Sequence, residues 1–106
     1  MLSEQEFRVK SDQALSGARQ QLLPLADEEG FEVELQNGVL DLVFEEPRES
    51  KFVVSPNAPV RQIWVSAMSR SFKLAWDAEQ DVFALNGEAL VDLLARLTRE
   101  FLGRES

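Results

Sequence analysis

The segment Phe31-Glu32-Val33-Glu34-Leu35 alternates apolar and acidic residues, and Asn37-Gly38 follows it almost at once. Successive strand residues point to opposite faces, so Phe31, Val33 and Leu35 share one face and the two glutamates share the other. Asn-Gly supplies the positive φ angles of a two-residue hairpin turn, and Leu40, Leu42 and Phe44 repeat the alternation on a return strand at about 39–45. A chain built this way forms an antiparallel sheet with one apolar face and one polar face. The apolar face needs a cover.

Helical stripes at the two ends of the chain supply that cover. Ser3-Glu4-Gln5-Glu6 has the form of a capping box, in which a hydroxyl and a carboxylate each satisfy an orphan backbone N–H. Phe7, Ser11, Ala14, Ala18, Leu22 and Leu25 then recur at steps of three and four, with Leu15 beside the stripe. Pro24 has no N–H to donate, so the helix is expected over 4–23. A second stripe, Leu90, Leu93, Leu94, Leu97 and Phe101, follows a start at Asn86 or Gly87, and Gly103 stands where a helix-ending glycine belongs. Between the helices, a polar turn containing Pro47 leads to a strand at 51–55, which Pro56-Asn57-Ala58-Pro59 interrupts. Further strands are expected near 61–67, 71–76 and 82–85. These connections are too short for helical crossovers, so consecutive strands should pair antiparallel. The expected fold is one α+β domain over 1–106, a two-layer α-β sandwich. Two helices cover one face of an antiparallel sheet of five to six strands.

The sequence contains neither cysteine nor histidine, which removes disulfides, thiolate and imidazole metal sites and the Ser-His-Asp type of nucleophile. Its glycines are scattered and form no phosphate-binding loop. No apolar run approaches the roughly 18 residues of a membrane span, and the opening MLSEQEF has no signal-peptide character. The expected location is cytoplasmic, with no membrane partner. Net charge is −8, and residues 1–49 carry all of it, with twelve acids against four bases; the rest of the chain is balanced. Such a field repels nucleic acid and attracts cations or basic protein surfaces.

Two features could carry function. Asp27, Glu28, Glu29, Glu32 and Glu34 place five acids within eight residues, expected at a loop where the first helix meets the first strand. Glu32 and Glu34 share a strand face, and Asp12 and Glu6 could extend the surface along the helix. Carboxylates without softer ligands suit hard cations such as iron, manganese, magnesium or calcium. The same cluster also fits a solvated face that protects a sheet edge from mispairing. The second feature is Arg61-Gln62-Ile63-Trp64-Val65-Ser66. Ile63 and Val65 have the apolar parity, so Trp64 points away from the helices together with Gln62 and Ser66. There it is either an interface anchor or a cross-strand packing residue. Trp76, in step with Phe72 and Leu74, is expected in the core.

Asn37-Gly38-Val39-Leu40, Gln62-Ile63-Trp64-Val65-Ser66 and Trp76, in this order, resemble the frataxin family in its bacterial branch. The correspondence runs from Glu6-Phe7 through Asp12-Gln13 and Pro59 to Gly87-Glu88 and Asp92-Leu93-Leu94. The resemblance implies the same α-β sandwich and an iron-binding role in iron–sulfur cluster assembly, as iron donor or as regulator of a cysteine desulfurase and its scaffold protein. It implies weak binding of Fe(II) or Fe(III) at an acidic ridge comprising Asp12, Glu28, Glu32 and Glu34, with Asp27 and Glu29 adjacent. It gives Trp64 and Gln62, with Arg61 and Ser66 beside them, the partner-binding role. Family members usually carry several acids in the C-terminal half of the first helix. Here that stretch reads Arg19-Gln20-Gln21-Leu22-Leu23-Pro24, which shifts the expected ridge toward the loop and first strand. Ser55 likewise stands where the family often has asparagine. The expectation is a monomeric binding module, oligomerising at most with iron. Its alternatives are a ferroxidase or iron-storage activity at the acidic surface, and an adaptor that uses the open sheet without iron.

Overall fold

The computed structural model describes residues 2–103. Helix α1 spans Glu4–Glu29, and the capping box is formed: the Glu6 N–H donates to the Ser3 hydroxyl at 3.1 Å and the Ser3 N–H to the Glu6 carboxylate at 2.9 Å. Its buried stripe is Phe7, Ser11, Leu15, Ala18, Leu22 and Ala26, with Ala14 and Leu25 at the margins. The helix therefore does not stop at residue 23. Pro24 faces solvent, while Leu22 and Ala26 on either side of it are buried, and the backbone runs on to Gly30 in the left-handed region (φ 83°). A proline inside a helix costs about 3 kcal/mol, and stopping there would forgo the seating of Ala26 and the aim of Phe31 into the core, which together offset that cost. Gly30 closes the helix with an N–H bond to the Ala26 carbonyl at 2.8 Å.

Seven strands follow, not five or six: β1 Glu32–Gln36, β2 Val39–Phe44, β3 Ser50–Asn57, β4 Gln62–Ala67, β5 Arg70–Asp77, β6 Val82–Leu85 and β7 Glu88–Ala89. Each pairs antiparallel with the next in one sheet, as the short connections require. Strand β3 continues through Pro56, which was expected to interrupt it. Its pairing with β2 ends at Val54, so beyond that point only β4 lies alongside and a missing N–H can face an open side. A 3-10 turn, Ala58–Val60, then leads to β4. The additional strand comes from Asn86-Gly87. Both residues take positive φ (52° and 83°), as Asn37 and Gly38 do (54° and 76°), so the second Asn-Gly makes a hairpin turn rather than a helix start. Helix α2 begins only at Leu90 and ends at Leu102, capped by Gly103 at φ 73°.

Both helices lie on the apolar sheet face, as the one-sided patterning demands. Phe44 stands at the centre of the core, its ring 4.8 Å from each of Phe31, Phe52 and Phe101, so it joins the α1–β1 corner, the sheet and α2. Phe7 of α1 meets Phe83 of β6 edge-on at 5.6 Å. Trp76 lies on the same face, half-buried against Phe83 at 5.2 Å. Leu90, Leu93, Leu94 and Leu97 of α2 are buried. Among the described residues, the opposite sheet face carries no second layer.

Candidate functional site

Strand parity puts Gln62, Trp64 and Ser66 on the uncovered face, because Ile63 and Val65 are fully committed to the core. Trp64 keeps 36% of its surface exposed. Its neighbours hold it rather than bury it. The indole Nε1–H donates to the Gln62 side-chain Oε1 at 2.9 Å, and the Lys73 ammonium lies 4.9 Å from the ring centroid. Lys73 is the residue directly across from Trp64 on β5, and Ser55 is the residue across on β3. The indole is thus pre-oriented by a cation on its face and an amide at its edge. Such an aromatic loses little freedom on contact with a partner, which favours an anchor role.

Arg61 does not join this surface. It sits in the left-handed region (φ 54°) after the 3-10 turn, and its guanidinium donates to the carbonyls of Leu2 at 3.3 Å, Ala58 at 2.5 Å and Pro59 at 3.5 Å. Those donors tie the chain's start to the turn before β4. Ser66 does share the face, exposed and level with Val53 on β3 and Ser71 on β5.

The acidic residues fall into two groups. Asp27, Glu28 and Glu29 lie in the last turn of α1, not in a loop, because the helix passes Pro24. The acidic ridge therefore keeps a helical side. No basic residue shares that turn, so three carboxylates stand at the negative end of the helix dipole, an unfavourable placement of about 0.3–1 kcal/mol each. Glu32 and Glu34 project from the outer face of β1, just beyond Gly30. Asp12 is separate: fifteen positions before Asp27 on the same helix, it lies about 22 Å away along the axis. Among the described residues no group of three or more carboxylates is placed to hold a metal ion. The donors are all hard oxygens, which fits iron, but they form an open surface rather than a cage. Binding there would be weak and readily reversed.

Two residues belong with these surfaces and were not singled out from sequence. Asp41 lies directly across from Glu34 on β2, so like charges face each other on the outer sheet. The two-residue Asn37-Gly38 turn fixes that register, and pairing outward from it would have found Asp41. Lys73 is the other. Its position depended on the length of the β4–β5 turn, where Met68 and Ser69 take positive φ (52° and 61°) without a glycine, and sequence offers no clear signal for that.

Known proteins resemble the chain over nearly its whole length. Residues 1–104 match the frataxin-like domain family. The iron-sulfur cluster assembly protein CyaY of Pseudomonas syringae pv. tomato is 34% identical over 95 residues, 86% of this chain and 84% of that protein. The protein of the same name from Azotobacter vinelandii is 34% identical over 83 residues, 74% of each chain. Among solved structures, frataxin from Psychromonas ingrahamii superposes with a TM-score of 0.67 at 16% identity, covering 93% of this chain and 90% of that one. That last likeness speaks for the fold.

Proposed function

Because this chain belongs to the frataxin-like domain family, we propose that it serves iron–sulfur cluster assembly as an iron-binding modulator, a binding module rather than an enzyme. Its partners in this reading are the cysteine desulfurase and the scaffold protein on which the cluster forms. Iron is the cargo, held briefly by carboxylates.

One observation carries the reading: a single uncovered sheet face bears an acidic edge and a pre-oriented tryptophan at separate positions. Glu32, Glu34 and Asp41 occupy β1 and β2, beside the acidic last turn of α1, while Trp64 stands on β4. Strands are spaced by about 4.8 Å, so β4 lies about 10 Å sideways from β2 and about 14 Å from the β1 edge, and Asp41 is level with Ser66, two residues along from Trp64. The acidic edge attracts a basic partner surface over distance and raises the encounter rate, and it also collects hard cations. Trp64 then supplies the desolvated contact that holds the complex. The names of the relatives support the assignment to cluster assembly, and the open carboxylate surface supports an exchangeable cargo over a resident cofactor.

The test is binding of the cognate desulfurase to the wild type, to the charge reversal Glu28→Lys/Glu32→Lys/Glu34→Lys and to Trp64→Ala. Both variants should bind more weakly, the charge reversal mainly through slower association and Trp64→Ala mainly through faster dissociation. A parallel titration with Fe(II) under anaerobic conditions should shift the backbone amides of 27–34. Wild-type affinity in both variants would overturn the docking half of the proposal, and unmoved amides in 27–34 would overturn the iron half.

A further inference from the structure

The acidic edge has a counterpart of opposite sign on the same molecule. At the end of the sheet where the β4–β5 turn meets the start of β3, a concavity of about 530 Å³ is lined by Arg48, Lys51 and Arg70 together with the hydroxyls of Ser66, Ser69 and Ser71. None of the acids of the adjoining 45–49 loop lines it. In a chain of net charge −8, this gathers three cations around one hollow. Two of them are braced from behind. The Arg48 guanidinium lies 4.7 Å from the centroid of Phe101, and Arg70 lies 5.4 Å from that of Phe72 while pairing with Glu100 at 2.7 Å. Among the described residues neither Arg48 nor Lys51 has a carboxylate within ion-pairing distance.

We propose that this concavity docks a short acidic peptide segment of a protein partner. The lining is mostly polar and cationic, which rules against an apolar ligand. Its volume is several times that of one phosphate group, so a single small anion would leave most of the hollow to solvent. A nucleic-acid backbone would run beyond it onto a face bearing Glu32, Glu34 and Asp41, where like charge opposes it. A segment of a few Asp or Glu residues ends inside the basic zone. The site is also continuous with the tryptophan face, since Ser66 lines it and Trp64 lies two residues away on the same strand face. A protein seated on Trp64 therefore meets an acid-rich edge on one side and a base-rich hollow at the end of the sheet. Such a bipolar surface fixes orientation better than one charge could. The inference goes beyond the iron–sulfur reading and rests on it only for which protein supplies the segment.

The test uses a fluorescein-labelled hexaglutamate peptide and the full chain, followed by anisotropy and by backbone amide shifts. Saturable binding is expected, with shifts concentrated in 48–51 and 66–71, and it should fade as salt rises. Arg48→Gln/Lys51→Gln should weaken it about tenfold, the loss of two exposed charge contacts of about 0.7 kcal/mol each. Trp64→Ala should leave peptide binding unchanged, which keeps this result separate from failure of the desulfurase proposal. Absence of shifts in those segments, or full binding by a double variant whose melting curve is native, would refute the inference. Inorganic phosphate or a single-stranded oligonucleotide binding at the same residues as tightly as the peptide would also overturn it, in favour of a general anion site.

Discussion

Replacing Glu34 by lysine should make this protein more stable while weakening the function proposed for it. Glu34 faces Asp41 across β1 and β2, and Glu32 lies two residues away on the same exposed face. The substitution removes one directly opposed like-charge pair and installs an attractive pair in its place. Each half of that change is worth about 0.5 kcal/mol, so the fold should gain about 1 kcal/mol. Glu34 is exposed, so no burial changes, and glutamate and lysine are similarly poor strand formers, so propensity nearly cancels. A lysine on the edge strand also guards against mispairing. For a domain of this size the gain corresponds to a rise in melting temperature of about 4 °C. Thermal unfolding followed by circular dichroism at low ionic strength measures it. The rise should shrink strongly in about 1 M NaCl, where the screening length is about 3 Å. A melting temperature that stays level or falls at low salt, or a gain that survives high salt, would refute the electrostatic account. The same variant should bind both Fe(II) and the desulfurase less well. An acidic edge retained at a cost in stability is what a binding surface requires and a merely solubilising one does not.

Three further outcomes follow from the structure. Trp64→Ala should lower stability by about 1–2 kcal/mol, well short of the roughly 3–5 kcal/mol for truncating a fully buried aromatic, because the indole is only partly covered; urea unfolding distinguishes the two. Pro24→Ala should stabilise the fold by about 1–3 kcal/mol, since it restores a helix hydrogen bond at an exposed position; a lower urea midpoint would mean the proline shapes the path of α1. Glu88 is held below the usual carboxylate range by its two-pronged hydrogen bonds from Arg96, both at 2.9 Å. A lowered folded-state value means that its contribution is present above about 4.5 and is lost as pH falls through that lower value. Wild type should therefore exceed Glu88→Gln by about 0.5 kcal/mol at pH 7, and the difference should close below pH 4.5 in paired denaturant titrations.

Much of the architecture was legible because short-range rules settled it. The alternation from Phe31 to Leu35, the Asn37-Gly38 turn and the leucine stripe near the C-terminus each specify a period and a face without reference to distant residues. The parity of β4 likewise placed Trp64 on the uncovered face. The departures share a cause. The local preferences of Pro24, Pro56 and Asn86-Gly87 favour a break or a helix start, and at each the outcome depends on what lies alongside. A buried stripe continued past Pro24, β2 no longer flanked Pro56, and a neighbouring strand was present for the second Asn-Gly turn to reach.

The sequence by itself determined the number of layers, the two covering helices, the antiparallel pairing and the location of the negative charge. Those properties follow from periodicity and composition, which are local and additive. Only the tertiary structure decided which charges meet. It set Glu34 against Asp41, laid Lys73 over Trp64, turned Arg61 inward onto backbone carbonyls, and brought Arg70 to the same hollow as Arg48 and Lys51 from a separate part of the chain. Pair energies depend on distances between residues remote in sequence, and strand register and turn length set those distances.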